Sequence, residues 1–266
     1  MPLCSGDFSP TSRGVFLIRN KTKSPIVELA CFFESASGKN SLMNKYIAEF
    51  IGTFFLVLTI GCTVVGAGTG VIAPLAIGAA LMVMVYAGGH ISGGHYNPAV
   101  TLGILIRGKV HPADVVPYMV AQFAGAAVAA LIVSKIFRAG VAVTPIVPHV
   151  GPALLAEFLF TFALVYVVLN AATAEGISGN SFYGLAIGMT VMAGAFAVGE
   201  ISGGAFNPAV ALGICILGIS GWGNIWIYLL ANFAAAVVAA VVFQLINPPM
   251  QVSPIAMDEP PYETPD

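Results

Sequence analysis

The chain has 266 residues, 58% of them hydrophobic and 8% charged, with a net charge of −2. A soluble domain carries about 25% charged residues, so most of this surface cannot face water, and no basic field exists for a nucleic acid. Four cysteines (Cys4, Cys31, Cys62, Cys215) lack paired or metal-type spacing. Two of them sit inside apolar runs, where a small buried hydrophobe is the expected role. No disulfide, metal or cofactor is expected.

In chain order, residues 1–42 come first. They hold Arg13, Arg19, Lys21 and Lys23, and their apolar patch, Ile26 to Phe33, is interrupted by Glu28. That patch is too short to cross about 30 Å of hydrocarbon, and the segment lacks the charged, apolar and small-residue order of a signal peptide. It reads as a flexible cytoplasmic extension. A membrane domain is expected over residues 43–247. Long apolar runs fall at Tyr46–Val65, Ile72–Gly89, Val115–Phe137, Gly151–Ala172, Phe182–Val198 and Ile225–Ile246, each close to the roughly 17–25 residues of a membrane helix. Two further pieces, Pro98–Ile106 and Pro208–Leu217, reach only about halfway at 1.5 Å per residue. The Pro-rich acidic tail, 248–266, reads as disordered.

The chain repeats itself. Ile91-Ser92-Gly93-Gly94-His95-Tyr96-Asn97-Pro98-Ala99-Val100 returns as Ile201-Ser202-Gly203-Gly204-Ala205-Phe206-Asn207-Pro208-Ala209-Val210. Ala76-Ile77-Gly78 matches Ala186-Ile187-Gly188, Tyr118 matches Tyr228, and Ala-Glu-Phe at 48–50 matches 156–158. The repeats span about 44–138 and 150–247. Each holds three full spans and one half-length piece. Three is odd, so the second repeat starts on the opposite side of the membrane, and the halves are inverted copies. The half-length pieces then dip in from opposite faces and meet near the midplane. Their non-helical lead-ins must line a water-filled path or be buried in protein. The fold class is therefore all-α, with six transmembrane helices and two re-entrant half-helices. Lys39, Lys45, Arg107 and Lys109 outnumber Lys135 and Arg138, which favours cytoplasmic termini.

Asn97-Pro98-Ala99 and Asn207-Pro208-Ala209 have the chemistry of helix starts. An Asn oxygen accepts a backbone N–H, and Pro has no N–H to leave unsatisfied. Each Asn keeps an NH₂ group to donate, at the positive end of a half-helix. Such a pair favours a solute oxygen that accepts two hydrogen bonds, and opposes cations.

Two Asn-Pro-Ala motifs, each after Ser-Gly-Gly within an inverted three-span repeat, resemble the aquaporin (major intrinsic protein) family over residues 44–247. The resemblance implies a right-handed helical bundle in the cell membrane, with one pore per subunit for water and small neutral solutes, and a homotetramer. It implies that Glu49 and Glu157 brace the two non-helical loops. A proton relay is the alternative role, and the placing of both at equivalent repeat positions favours bracing. His95 is placed near the cytoplasmic entrance. The narrow constriction maps to Ile77, Ala195, Gly204 and Val210. Here the chain departs from the pattern, because water-selective relatives resemble Phe, His, a small residue and Arg at those places. Losing the aromatic, the imidazole and the Arg charge leaves a smaller, apolar set. Two readings stand: a wider filter that also admits glycerol, urea or ammonia, or a neighbouring side chain that fills the gap and keeps water selectivity.

Other signals are weaker. His90 and His95 are five apart in a turn, without helical ligand spacing, and loop lining outweighs metal binding. No Ser-His-Asp pattern, His-Glu-x-x-His or phosphate loop suggests an enzyme. An ion-coupled transporter is the alternative function, since it too uses inverted repeats with broken helices.

Overall fold

A computed structural model describes residues 25–66 and 70–247, with side chains from residue 42 onward. The expectations for residues 1–24 and for the tail from 248 fall outside these. Eight α-helices are present among the described residues: α1 (Pro25–Val64), α2 (Ala73–Ser92), α3 (Pro98–Ile106), α4 (Pro112–Ile132), α5 (Val150–Thr173), α6 (Tyr183–Ser202), α7 (Pro208–Ile216) and α8 (Ile225–Ile246). The chain divides into two units, Met1–Ser41 and Leu42–Asp266. The helix of the first begins at Pro25, inside the segment read as an extension.

The second unit holds six segments long and apolar enough to cross a membrane: Leu42–Val64, Gly70–Ser92, Pro112–Phe137, Val150–Thr173, Tyr183–Ser202 and Trp222–Ile246. They correspond one for one to the six predicted spans, and the protein is a multi-pass membrane protein. α1 starts well before the expected Tyr46, and α2 and α6 run to Ser92 and Ser202 rather than stopping near Gly89 and Val198. Polar His90 and Glu200 end the apolar run but not the helix. The helix ends where Gly93 and Gly203 turn left-handed, at φ 91° and 94°, a conformation with no steric cost for glycine. The extra turn carries Ser92 and Ser202 to the glutamates of α1 and α5.

α3 and α7 are nine residues each, about 14 Å long at 1.5 Å per residue. Both are nearly enclosed by protein. α3 packs on α4, α5 and α8, α7 packs on α4 and α8, and the two touch each other. Each half-helix therefore lies against spans of the opposite repeat, so the repeats interlock. On the inner faces α2 crosses α6, and a methyl group added at Gly78 would strike the Gly188 carbonyl, and the reverse. These glycines let the two backbones touch on the pseudo-two-fold axis.

Candidate functional site

The two loops leading into α3 and α7 are built around buried carboxylates. Glu49 on α1 and Glu157 on α5 are both fully buried. Glu49 accepts from the hydroxyl of Ser92 (2.6 Å), the N–H groups of His95 (2.9 Å) and Tyr96 (2.7 Å), and Nε2 of Gln122 (2.8 Å). Glu157 accepts from Ser202 (2.7 Å), Ala205 N–H (2.9 Å) and Phe206 N–H (2.7 Å). Every neighbour is a donor, so both sites suit the ionised form, which only accepts. A charge at membrane depth is costly unless partnered, and here the loop backbone is the partner.

Tyr96 and Phe206 carry the strain. Both have φ 49°, a left-handed conformation that bulky residues rarely adopt. Each is clamped at both of its backbone polar groups. Its N–H goes to the glutamate of its own repeat, and its carbonyl accepts from the Asn of the other. Asn97 Nδ2 donates to the Phe206 carbonyl, and Asn207 Nδ2 donates to the Tyr96 carbonyl, both at 2.9 Å. Strain of this kind persists where the surroundings over-determine it.

The Asn side chains also start their helices. Asn97 Oδ1 accepts from Ala99 N–H (2.8 Å), and Asn207 Oδ1 accepts from Ala209 N–H (2.8 Å). Pro98 and Pro208 occupy the first helical position. Ala99 and Ala209 are completely buried. One hydrogen of each NH₂ group is spent on the opposite loop, so each Asn retains a single free N–H. This refines the expectation of an uncommitted amide.

A narrow cavity, the passage, lies alongside both amides. It is lined by Asn97 and Asn207 together with Gly94, His95, Gly204 and a wall of branched aliphatics that includes Leu56, Ile77, Leu164, Ile187 and Val210. The space open to water centres is ≈ 20 Å³, and one water needs about 10–15 Å³ on that measure, so there is room for one or two waters at a time. His95 also lines a broad vestibule of ≈ 510 Å³ with His90, Lys109, Glu175 and Asn180. His95 thus stands at the junction of vestibule and passage, on the face where α2 ends. Among the described residues, no group of three His, Cys, Asp or Glu side chains could hold a metal.

The state of His95 follows from its neighbours. Gln122 must turn its NH₂ toward Glu49, and the same group donates to Thr101 Oγ1 at 3.0 Å. Thr101 gives its one hydrogen to the Asn97 carbonyl at 3.0 Å. Its remaining lone pair faces His95 Nδ1 at 3.2 Å, so Nδ1 carries the proton. Nε2 makes no hydrogen bond among the described residues and is left as the unprotonated acceptor of the neutral ring.

Of the four positions expected to form the constriction, Ile77, Gly204 and Val210 line the passage. Ala195 stands beside them, its Cα 3.6 Å from where a Cβ on Gly204 would lie. Thr101, Gln122, Ser92, Ser202 and the tyrosines whose hydroxyls donate to the Ser92 and Ser202 carbonyls (Tyr118, 2.8 Å; Tyr228, 2.6 Å) were not singled out as site residues. The usable signal was a polar side chain in a membrane span at equivalent repeat positions, as at Gln122 and Asn232. Asn232 is one methylene shorter than Gln122. Its Oδ1 accepts from Thr161 at 2.8 Å, and its buried Nδ2 finds no partner among the described residues.

Comparison with known proteins decides the family, because residues 36–243 match the major intrinsic protein family. The chain belongs to that family. Family members are passive channels for water and small solutes such as glycerol, not enzymes. Among relatives within the major intrinsic proteins, the glycerol uptake facilitator protein-like 6 of Lactiplantibacillus plantarum is 40% identical over 208 residues, 74% of this chain and 95% of the relative. Aquaporin NIP1-4 of Oryza sativa is 35% identical over 215 residues, 78% of each chain. The aquaglyceroporin of Plasmodium falciparum shares the fold, with a TM-score of 0.63 and 22% identity, over 76% of this chain and 95% of that one.

Proposed function

We propose that this major intrinsic protein passes water in single file, and glycerol as a second solute, through the passage between the two half-helices. The observation that carries the reading is one narrow opening lined by both Asn97 and Asn207, each capping a nine-residue helix whose positive end faces it. Water placed there meets one free N–H from each Asn, while a cation meets two positive helix ends. Gly94, His95, Gly204 and Ala205 of the lead-in loops share the lining with the aliphatic side chains, and no described residue donates a hydrogen bond to their carbonyls. A lining that combines aliphatic side chains with unpaired loop backbone acceptors suits a short polyol, which carries both CH groups and hydroxyls. The named glycerol facilitator among the relatives supports the second solute. We take Ile77, Ala195, Gly204 and Val210 as the constriction, Glu49 and Glu157 as loop braces, and a homotetramer with both termini cytoplasmic as the working assembly in the cell membrane. Neither glutamate lines the passage, which counts against ion coupling through them.

Purified protein in vesicles, shifted separately into sucrose, glycerol and isotonic mixtures, tests this. Water flux well above protein-free vesicles is expected, with measurable glycerol entry. Water flux no faster than lipid alone overturns the channel reading, and glycerol excluded as fully as sucrose removes the second solute. Val210→Arg is expected to cut glycerol flux more than water flux, because it restores bulk and charge at the narrow place.

A further inference from the structure

The two halves of the passage are matched in chemistry as well as in backbone. The lead-in loops superpose in their angles: Gly94 and Gly204 have φ 63° and 62°, and Tyr96 and Phe206 both have 49°. The Asn-to-carbonyl bonds are reciprocal and equal at 2.9 Å, and Gly78 meets Gly188 on the axis. A rotation about that axis therefore carries Ile77 onto Ile187, Gly204 onto Gly94, and Val210 onto Val100. All six line the passage, and each pair is the same residue type. Whatever depth the first three occupy on one side of the Asn pair, their twins occupy the same depth on the other.

We infer that solute selection is made at two matched narrowings in series, the assigned one at Ile77, Gly204 and Val210 and a second at Ile187, Gly94 and Val100. This rests on the channel reading and deepens it. A filter with Arg and aromatic groups on one side would have no twin. Here the loss of both makes the two sides alike at these three positions; the fourth, Ala195, answers to Val85, and one polar difference remains: His95 stands beside the second narrowing where Ala205 stands beside the first. The vestibule side thus filters by the same aliphatic gap and adds an acceptor nitrogen.

Two equal barriers in series give a distinctive result. Widening one can raise flux at most about twofold, because the other remains, and only widening both releases the limit; the two changes are therefore non-additive. The test uses the full chain in vesicles, with glycerol and water permeability normalised to protein per vesicle, for wild type, Ile77→Ala, Ile187→Ala and the double variant. Each single variant is expected to raise glycerol flux by no more than about twofold, and the double variant several-fold beyond their product. Equal full release by Ile77→Ala alone, with Ile187→Ala inert, overturns the second narrowing and leaves the channel intact. Full release by Ile187→Ala alone overturns the matched pair likewise. Wild-type water flux at the lipid level overturns the channel reading and this inference with it. Because alanine could loosen the bundle, Ile77→Val and Ile187→Val run in parallel with unfolding midpoints in detergent. A flux pattern reproduced by the valine set at unchanged midpoint supports the pair, and one that follows the midpoint rather than the side-chain size overturns it.

Discussion

Tyr96 and Phe206 occupy a backbone conformation that costs on the order of 1–3 kcal/mol each, and two reaching groups hold each of them there. The glutamate takes the N–H and the distant Asn gives to the carbonyl. Removing either group releases a residue that resists its native shape, so effects at these positions exceed an ordinary lost hydrogen bond. Asn207→Ala deletes a helix cap, worth about 0.5–2 kcal/mol, and also the bond to the Tyr96 carbonyl at 2.9 Å. Glu157→Gln turns a group that receives three donors into one that must present its own NH₂ to one of them, a loss of about 1.5–3 kcal/mol for a charged hydrogen bond. Both are expected to lower the unfolding midpoint in detergent, and Glu157→Gln the more. An unchanged midpoint for Glu157→Gln would mean that the loop is held by something other than its carboxylate. The same residues show what a sequence can disclose. The Asn-Pro-Ala pairs were legible because capping is local chemistry. The Asn-to-carbonyl exchange was not, because it joins residues 109 and 111 positions apart and only the folded backbone brings them together.

At the scale of elements, hydropathy located all six spans, and the half-length of α3 and α7 told their depth. Their ends were less visible. Sequence reading stopped α2 and α6 at polar residues, whereas the left-handed glycines after Ser92 and Ser202 end them. The Gln122–Thr101–His95 chain was missed for a related reason: one polar residue in each of three elements gives no local pattern. The crossing of α2 and α6 is the element-level feature most exposed to disruption. Gly78→Leu places a side chain against the Gly188 carbonyl, and overpacking of this kind costs about 1–3 kcal/mol or more. The variant is expected to insert into membranes, since hydropathy is unaffected, but to show a reduced midpoint and little water flux. A wild-type midpoint and flux in Gly78→Leu would place the crossing away from these glycines.

For the whole molecule, sidedness is the property with the most consequences, since it decides which mouth carries His95 and the broad vestibule. Lys109 lines that vestibule, and Val147, on the α4–α5 connection, is 91% exposed. With both termini cytoplasmic, a membrane-impermeant maleimide added to intact cells should label Val147→Cys above the background of the native cysteines and leave Lys109→Cys for lysed cells. The reverse pattern would invert the orientation. The reciprocal bonds between Asn97 and Phe206 and between Asn207 and Tyr96 carry a last consequence. Neither half can finish its own loop; each borrows its closing donor from the other. A single three-span half, made in two copies that insert in opposite directions, already owns every group this exchange requires. The present chain reads as such a dimer, fused head to tail, and a split version expressed as two separate polypeptides should find its way back to one conduit.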